Sequence, residues 1–261
     1  MTRRRFEGKV ALVTGAGSGI GEATAREFAS EGAAVVILEI NGSAARRVAQ
    51  EIRERDGQAL AVEGDVRIAR DCERAVREGL EAFGGLDFAF CNAGVYEGGT
   101  VESQTEEEWD AQVDTLLKGT FLTCKYAVPA MRKRGQGAIV LSGSNCSHIG
   151  CSGRFAYTAA KAAMPVLAKQ LSNDYFHSAG IRVNCVSPGY VRTGMTEASW
   201  RKQMGAEPDS PVPATVTEKW QQPEAIASTV LFLCSDEAAD ITGVTIPISR
   251  TALLRVALMR G

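Results

Sequence analysis

The apolar positions along this chain switch period repeatedly. Lys9-Val-Ala-Leu-Val13 is a short β-branched run closed by glycines, and from Glu22 to Glu31 the apolar residues Ala23, Ala25, Phe28 and Ala29 fall at helical spacing. Gly32 stands where a helix-ending glycine is expected. Ala33 to Leu38 is then a continuous apolar run of strand length, the pattern of a parallel strand covered on both faces. Ser43 offers a cap for a helix carrying Ala45, Val48, Ala49 and Ile52 to about Arg55, and Gln58 to Glu63 supplies a third strand. Further helices are predicted near 69–83, 106–134, 156–178 and 223–234, with strands near Leu86–Cys91, Ala138–Ser142, Arg182–Ser187 and Val244–Ile248.

Seven strands alternating with six helices predict a doubly wound, Rossmann-type α/β fold. It has one seven-stranded parallel sheet with helices on both faces, because each right-handed crossover must return over the sheet. No fixed-period repeat, low-complexity segment or linker divides the 261 residues, so a single domain over 1–261 is expected. Thr193 to Gln222 lacks clear periodicity, contains Pro208, Pro211 and Pro213, and exceeds the usual loop length; residues 193–222 are expected to form a substrate loop. In an open α/β sheet ligands lie beyond the carboxyl ends of the strands, so chemistry is sought just after each strand.

Composition narrows the picture by exclusion. A chain with 45% hydrophobic residues, 23% charged residues and 27 glycines is not collagen, a disordered tail or a disulfide scaffold. A formal charge of -2 provides no basic field for a phosphate backbone, so nucleic acid is not an expected partner. The start, MTRRRFEGKV, lacks the apolar stretch of a signal peptide, and no run reaches the ~18 apolar residues of a membrane span. A cytoplasmic location without a membrane partner is expected. The seven cysteines, at 72, 91, 124, 146, 151, 185 and 234, form no CxxC pair and read as reduced, mostly buried thiols. His148 and His177 are far apart and without ligand spacing, so no metal is expected; His148 reads as a loop residue at or near the pocket. Thr2-Arg-Arg-Arg5 reads as a loose terminus.

Candidate chemistry begins at Thr14-Gly-Ala-Gly-Ser-Gly-Ile-Gly21, between the first strand and the first helix. Glycines there let the backbone turn tightly and approach a pyrophosphate, whose charge is favoured by the helix N-terminus. No Gly-Lys-Ser/Thr follows, which excludes the phosphate loop of nucleotide hydrolases, and the strict G-x-G-x-x-G spacing also fails. Glu39 ends the second strand, where a carboxylate accepts hydrogen bonds from an adenosine ribose and repels a 2′-phosphate by about 4 kcal/mol per unit charge at 4 Å and an effective dielectric near 20. NAD(H) is therefore expected in preference to NADP(H). Tyr157 and Lys161 stand one helical turn apart, and Ser144 follows the fifth strand. A phenol titrates near ~10 and works as a base near neutrality only beside a cation, a role Lys161 can fill.

From about Gly8 to Ile248 the chain resembles the short-chain dehydrogenase/reductase family. The matching pieces are the glycine segment 14–21, Gly64-Asp-Val66, Asn92-Ala-Gly94, Ser144, Tyr157-x-x-x-Lys161, Pro188-Gly-Tyr-Val-Arg-Thr193 and Ile241-Thr-Gly243. The resemblance implies cofactor contacts from Gly15, Ser18, Gly19, Ile20 and Gly21, from Glu39, and from Asp65 and Val66 around the adenine. It implies that Asn92, Ala93 and Gly94 support the central strand beside the cofactor, and that Pro188, Gly189, Val191 and Thr193 lie at the nicotinamide end. Tyr157 would exchange the proton at the substrate oxygen, Lys161 would bind the nicotinamide ribose and lower the tyrosine pKa, and Ser144 would hold the carbonyl. The implied reaction is reversible oxidation of a secondary alcohol to a ketone by a homodimer or homotetramer. A nucleotide-binding regulator without turnover, and a dehydratase or epimerase on the same fold, remain as alternatives.

Three positions depart from the family pattern. Leu116 stands where the family has asparagine, which leaves its backbone carbonyl as the acceptor for a relay water. Ile248-Ser-Arg-Thr251 replaces Asp-Gly-Gly, and the atypical tail 249–261 is apolar, so Leu253, Leu254, Val256 and Leu258 are expected at a subunit interface. Pro165 lies one turn past Lys161, where it removes a helix hydrogen bond. The pocket is expected to draw on Asn145, Cys146, His148, Phe155, Tyr190 and the loop after Thr193.

Overall fold

The computed structural model describes residues 4–250. β1 (Val10–Thr14), β2 (Ala34–Glu39), β3 (Gln58–Glu63), β4 (Phe88–Cys91), β5 (Gly137–Ser142), β6 (Ile181–Pro188) and β7 (Thr245–Ile248) pair in parallel in the order β3-β2-β1-β4-β5-β6-β7. The helices are α1 (Gly19–Ser30), α2 (Gly42–Arg53), α3 (Ala69–Phe83), α4 (Glu106–Val113), α5 (Gly119–Arg134), α6 (Phe155–Ala179), α7 (Gly194–Met204), α8 (Ala214–Thr217) and α9 (Pro223–Cys234). Successive side chains of a strand point to opposite faces, and the apolar runs supply both. Val10, Leu12, Val36 and Leu38 pack with Cys72 and Val76 of α3, Met131 of α5 and Met164 of α6. Ala11, Val13, Val35 and Ile37 pack with Phe28 of α1, Val48 and Ile52 of α2, and Val230 of α9. This three-layer arrangement is the expected Rossmann-type fold.

Several boundaries differ from those read in the sequence. The stretch 193–222 is not structureless, because α7 and α8 lie within it. α7 escaped detection because it buries no residue; Thr193 caps it by accepting the Thr196 N–H at 3.2 Å. The long helix expected over 106–134 is interrupted by a π-helical turn at Asp114–Lys118. The cap of α2 is Asn41, whose Oδ1 accepts from Ala44 N at 3.1 Å, and Ser43 instead donates to the same oxygen at 2.7 Å. Pro165 does not break α6, which runs through 25 residues. Arg5 is not loose: it pairs with Glu31, and Phe6 behind it is buried against Phe28 and Phe88. The tail residues Leu253, Leu254, Val256 and Leu258 lie outside the described residues, so their expected interface does too. Among the described residues no helix is long and apolar enough to cross a membrane.

The sheet centre is pinned from below by Asp87, whose side chain is almost wholly buried. Its carboxylate accepts from the Val10 N–H at 2.9 Å and from Arg134 Nη2 at 2.9 Å, with Lys9 Nζ at 3.5 Å, joining β1, β4 and the end of α5. Asp87→Ala leaves a buried N–H and two cations without their acceptor. It is expected to lower the unfolding free energy by about 2–3 kcal/mol, read from urea denaturation as a shifted midpoint at constant slope.

Candidate functional site

The order 3-2-1-4 reverses the direction of winding between β1 and β4, and there the turns after both strands part to open a crevice. A cavity of about 530 Å³ lies above it, within the range of small-molecule sites. One wall is the glycine turn. Gly15 has φ +63°, and a Cβ on it would stand 2.7 Å from Ala93 Cα, so only glycine permits the two turns to approach this closely. Thr14 Oγ1 accepts the N–H groups of Asn92 at 2.9 Å and Ala93 at 3.0 Å, and Asn92 Nδ2 returns bonds to the carbonyls of Thr14 and Gly15. Asn92 thereby locks both turns while lining the cavity.

The predicted catalytic and cofactor-binding positions assemble on this cavity with one exception. Gly15, Ser18, Gly19, Ile20, Glu39, Asp65, Val66, Asn92, Ala93, Gly94, Ser144, Tyr157, Lys161, Pro188, Gly189, Val191 and Thr193 all line it. Gly21 does not: it lies behind the turn, where a Cβ would come within 2.2 Å of the Gly15 carbonyl oxygen, so its smallness serves packing. Ser18 begins α1 without a side-chain cap, and the first N–H groups of that helix have no intrahelical acceptor. With a cradle that a Cβ would fill, this end suits a pyrophosphate. Glu39 Oε2 accepts from Gly17 N at 3.0 Å and Oε1 from Asn41 N at 3.0 Å, which fixes its carboxylate at the cavity edge.

The opposite wall carries Ser144, Tyr157 and Lys161. Ser144 is buried after β5, its Oγ accepting from Cys146 N at 3.2 Å, and Ser147 Oγ ties the turn to α6 through the Lys161 carbonyl at 2.7 Å. Lys161 is buried, with Nζ 2.6 Å from the Ser142 carbonyl oxygen and 5.9 Å from the centre of the Tyr157 ring. Burial pushes the Tyr157 hydroxyl above its ordinary pKa; the Ser144 hydrogen bond and the Arg154 charge pull it down by less. The net direction is opposite to the lowering expected from Lys161. The cause is the burial of the phenol itself; Lys161 is desolvated too, its ammonium pushed down to about 8 despite the upward pull of Cys185 and Cys91.

Other expectations are corrected here. Asn145, Cys146, His148 and Phe155 do not line the cavity, whereas Tyr190 does. His148 Nε2 instead lies 3.1 Å from Ser187 Oγ, and the exposed Phe155 packs against Trp109. Cys146 and Cys151 form a disulfide, their Cα atoms 5.6 Å apart, so the reduced-thiol reading holds only for Cys72, Cys91, Cys124, Cys185 and Cys234. The turn at Asn145–Ser147 folds the chain back and brings two cysteines five apart into bonding distance, a closure that spacing alone does not reveal. Leu116 lies in the π turn with its side chain on the cavity, and its carbonyl already accepts from Thr120 Oγ1 at 2.7 Å, so a relay water there would share it. Tyr96 and Arg154 also line the cavity and were not singled out in the sequence. Their signal was position: two residues after Gly94 and three before Tyr157.

Comparison with known proteins agrees with this geometry. A family profile described as enoyl-(acyl carrier protein) reductase matches residues 15–250. The chain is 38% identical over 244 residues to 2,5-dichloro-2,5-cyclohexadiene-1,4-diol dehydrogenase LinX of Sphingobium indicum, covering 94% of this chain and 96% of that one. It is 37% identical over 240 residues to cyclohexanol dehydrogenase of Acinetobacter sp., covering 92% of each. The crystal structure of levodione reductase superposes with a TM-score of 0.89 at 30% identity, over 97% of this chain and 99% of that one.

The lowered Lys161 pKa has a consequence for stability. The folded chain binds this proton less tightly than the unfolded chain, whose value is the usual 10.5. The cost of the buried ammonium is therefore carried in full below pH 8 and falls away as pH rises towards 10.5, so this group makes stability rise with pH across that window. Lys161→Met is expected to raise the unfolding free energy at pH 7 by about 1–2 kcal/mol, the relief being partly offset by the orphaned Ser142 carbonyl. Urea denaturation at pH 7 and pH 10 checks it: the gain should shrink at the higher pH, and a variant less stable than the parent at pH 7 contradicts it.

Proposed function

The chain belongs to the short-chain dehydrogenase/reductase family of oxidoreductases, which use nicotinamide cofactors, and from that premise we propose that it interconverts a secondary alcohol and a ketone with NAD(H). The observation that carries this reading is the meeting of the glycine turn and Glu39 with Ser144, Tyr157 and Lys161 on the walls of one cavity. The nicotinamide coenzyme would supply or accept the hydride. Tyr157 would give its proton to the carbonyl oxygen in reduction and take it back in oxidation; its raised pKa keeps it protonated near neutrality, the form a donor needs. Ser144 would hold the same oxygen, and Lys161 would bind the nicotinamide ribose, an ammonium donor at the cavity floor. Cyclic secondary alcohols are the first compounds to try, because two relatives are named as dehydrogenases of cyclohexanol and of a chlorinated cyclohexadiene diol.

Tyr157→Phe keeps the ring and removes the proton, so kcat should fall by about 10²–10⁴ while NADH affinity, read from nucleotide fluorescence, stays near that of the parent. Full activity in that variant refutes the mechanism. Glu39 carries the coenzyme preference. Glu39→Gln keeps an acceptor at the same place but removes the charge that meets a 2′-phosphate, and should narrow the NADH/NADPH ratio of kcat/KM by about tenfold or more. An unchanged ratio would place the discrimination elsewhere on the wall.

A further inference from the structure

Among the described residues six charged side chains line the cavity, and five of them are engaged by protein groups. Glu39 accepts two backbone N–H groups, Asp65 pairs with Arg67 at 2.6 Å, Glu97 accepts from Lys202 at 2.9 Å, and Lys161 donates to the Ser142 carbonyl. Arg154 is the sixth, and among the described residues it has no carboxylate within ion-pair distance. Its guanidinium lies 5.0 Å from the centre of the Tyr96 ring and 5.5 Å from that of Tyr190, and Nη2 donates to the Tyr190 hydroxyl at 3.2 Å. Aromatic faces hold a guanidinium in place without neutralising it, and a single hydrogen bond uses one of its five donors. Tyr96 also meets the Tyr157 ring edge-on at 5.4 Å, so the same phenol touches the cation and the proposed proton donor.

We propose, building on the redox reading above, that Arg154 is an anion-binding group at the substrate end of the cavity and that the substrate is a carboxylate bearing the secondary alcohol or ketone. A planar guanidinium matches a carboxylate with two parallel hydrogen bonds, and a lysine would not reproduce that fork. The Tyr96 ring, in contact with both the cation and the Tyr157 ring, gives an aromatic wall to a carbon skeleton held between Arg154 and Tyr157. The anion fixes one end of the substrate, which orients the other towards the reacting hydroxyl.

The test compares 4-oxocyclohexane-1-carboxylate with its methyl ester in the parent protein, Arg154→Met and Arg154→Lys, following NADH absorbance. The readout is the ratio of kcat/KM for acid over ester, in which any loss of folded protein cancels. The ratio is expected to be about tenfold or more in the parent, near one in Arg154→Met and intermediate in Arg154→Lys. A parent ratio near or below one, or a high ratio that survives Arg154→Met, overturns the proposal. If neither ketone turns over, the redox reading fails on these substrates and the anion site is judged by calorimetry alone. Cyclohexanecarboxylate should then bind at least about tenfold more tightly than cyclohexanecarboxamide, and lose that advantage in Arg154→Met; equal binding, or none, overturns the site.

Discussion

The structure depends on the close approach of two turns, the one after β1 and the one after β4. Thr14 Oγ1 takes two N–H groups from Asn92 and Ala93, and Gly15 leaves no side chain between the backbones. A buried hydroxyl accepting two amides satisfies groups that the end of a strand would otherwise leave bare. From this contact follow the position of α1, whose N-terminus faces the cavity, and the crevice at the reversal of strand order. Asp87 performs the corresponding task at the other end of the same strand pair. The two neighbouring strands are thus fastened at both ends, and the site is built on the rigid part of the sheet.

Above that foundation, burial rather than charge sets the protonation of the chemical groups. The Tyr157 hydroxyl is held up and the Lys161 ammonium is pushed down, each by desolvation first. Both shifts favour the neutral form, yet a value of about 8 leaves the Lys161 ammonium charged at neutral pH, so the floor holds one desolvated cation that a ligand oxygen can compensate. Arg154 contrasts with this, because a guanidinium keeps its charge and is steadied here by two phenol rings. The cavity wall therefore carries a titratable cation at one end and a permanent one at the other.

The departures from the family pattern resolve unequally. Leu116 fills its place with an apolar side chain inside a π turn, a local widening of the helix that turns the residue onto the cavity. Pro165 is absorbed by a helix whose flanking turns are packed against β6 and the core, so the lost hydrogen bond does not become a break. The disulfide between Cys146 and Cys151 was hidden because pairing needs a fold-back, and the four residues between the thiols give no periodic sign of one.

The fold class, the alternation of strand and helix, and the glycine-turn, Ser144, Tyr157 and Lys161 positions on the cavity were legible in the sequence. The reason is that each of these is a local signal: period 2 against 3.6, a glycine turn at a strand end, and two side chains one helical turn apart. The sequence did not reveal α7, which has no buried face to produce a period, or the role of Gly21, which is set by a carbonyl six residues earlier returning over it. Tertiary structure alone decided the balance of charges on the wall. Whether Glu97 is paired, Lys161 desolvated or Arg154 left facing a cavity between two rings depends on residues far apart in the chain, and a pKa or an ion pair is a property of the neighbours that folding provides.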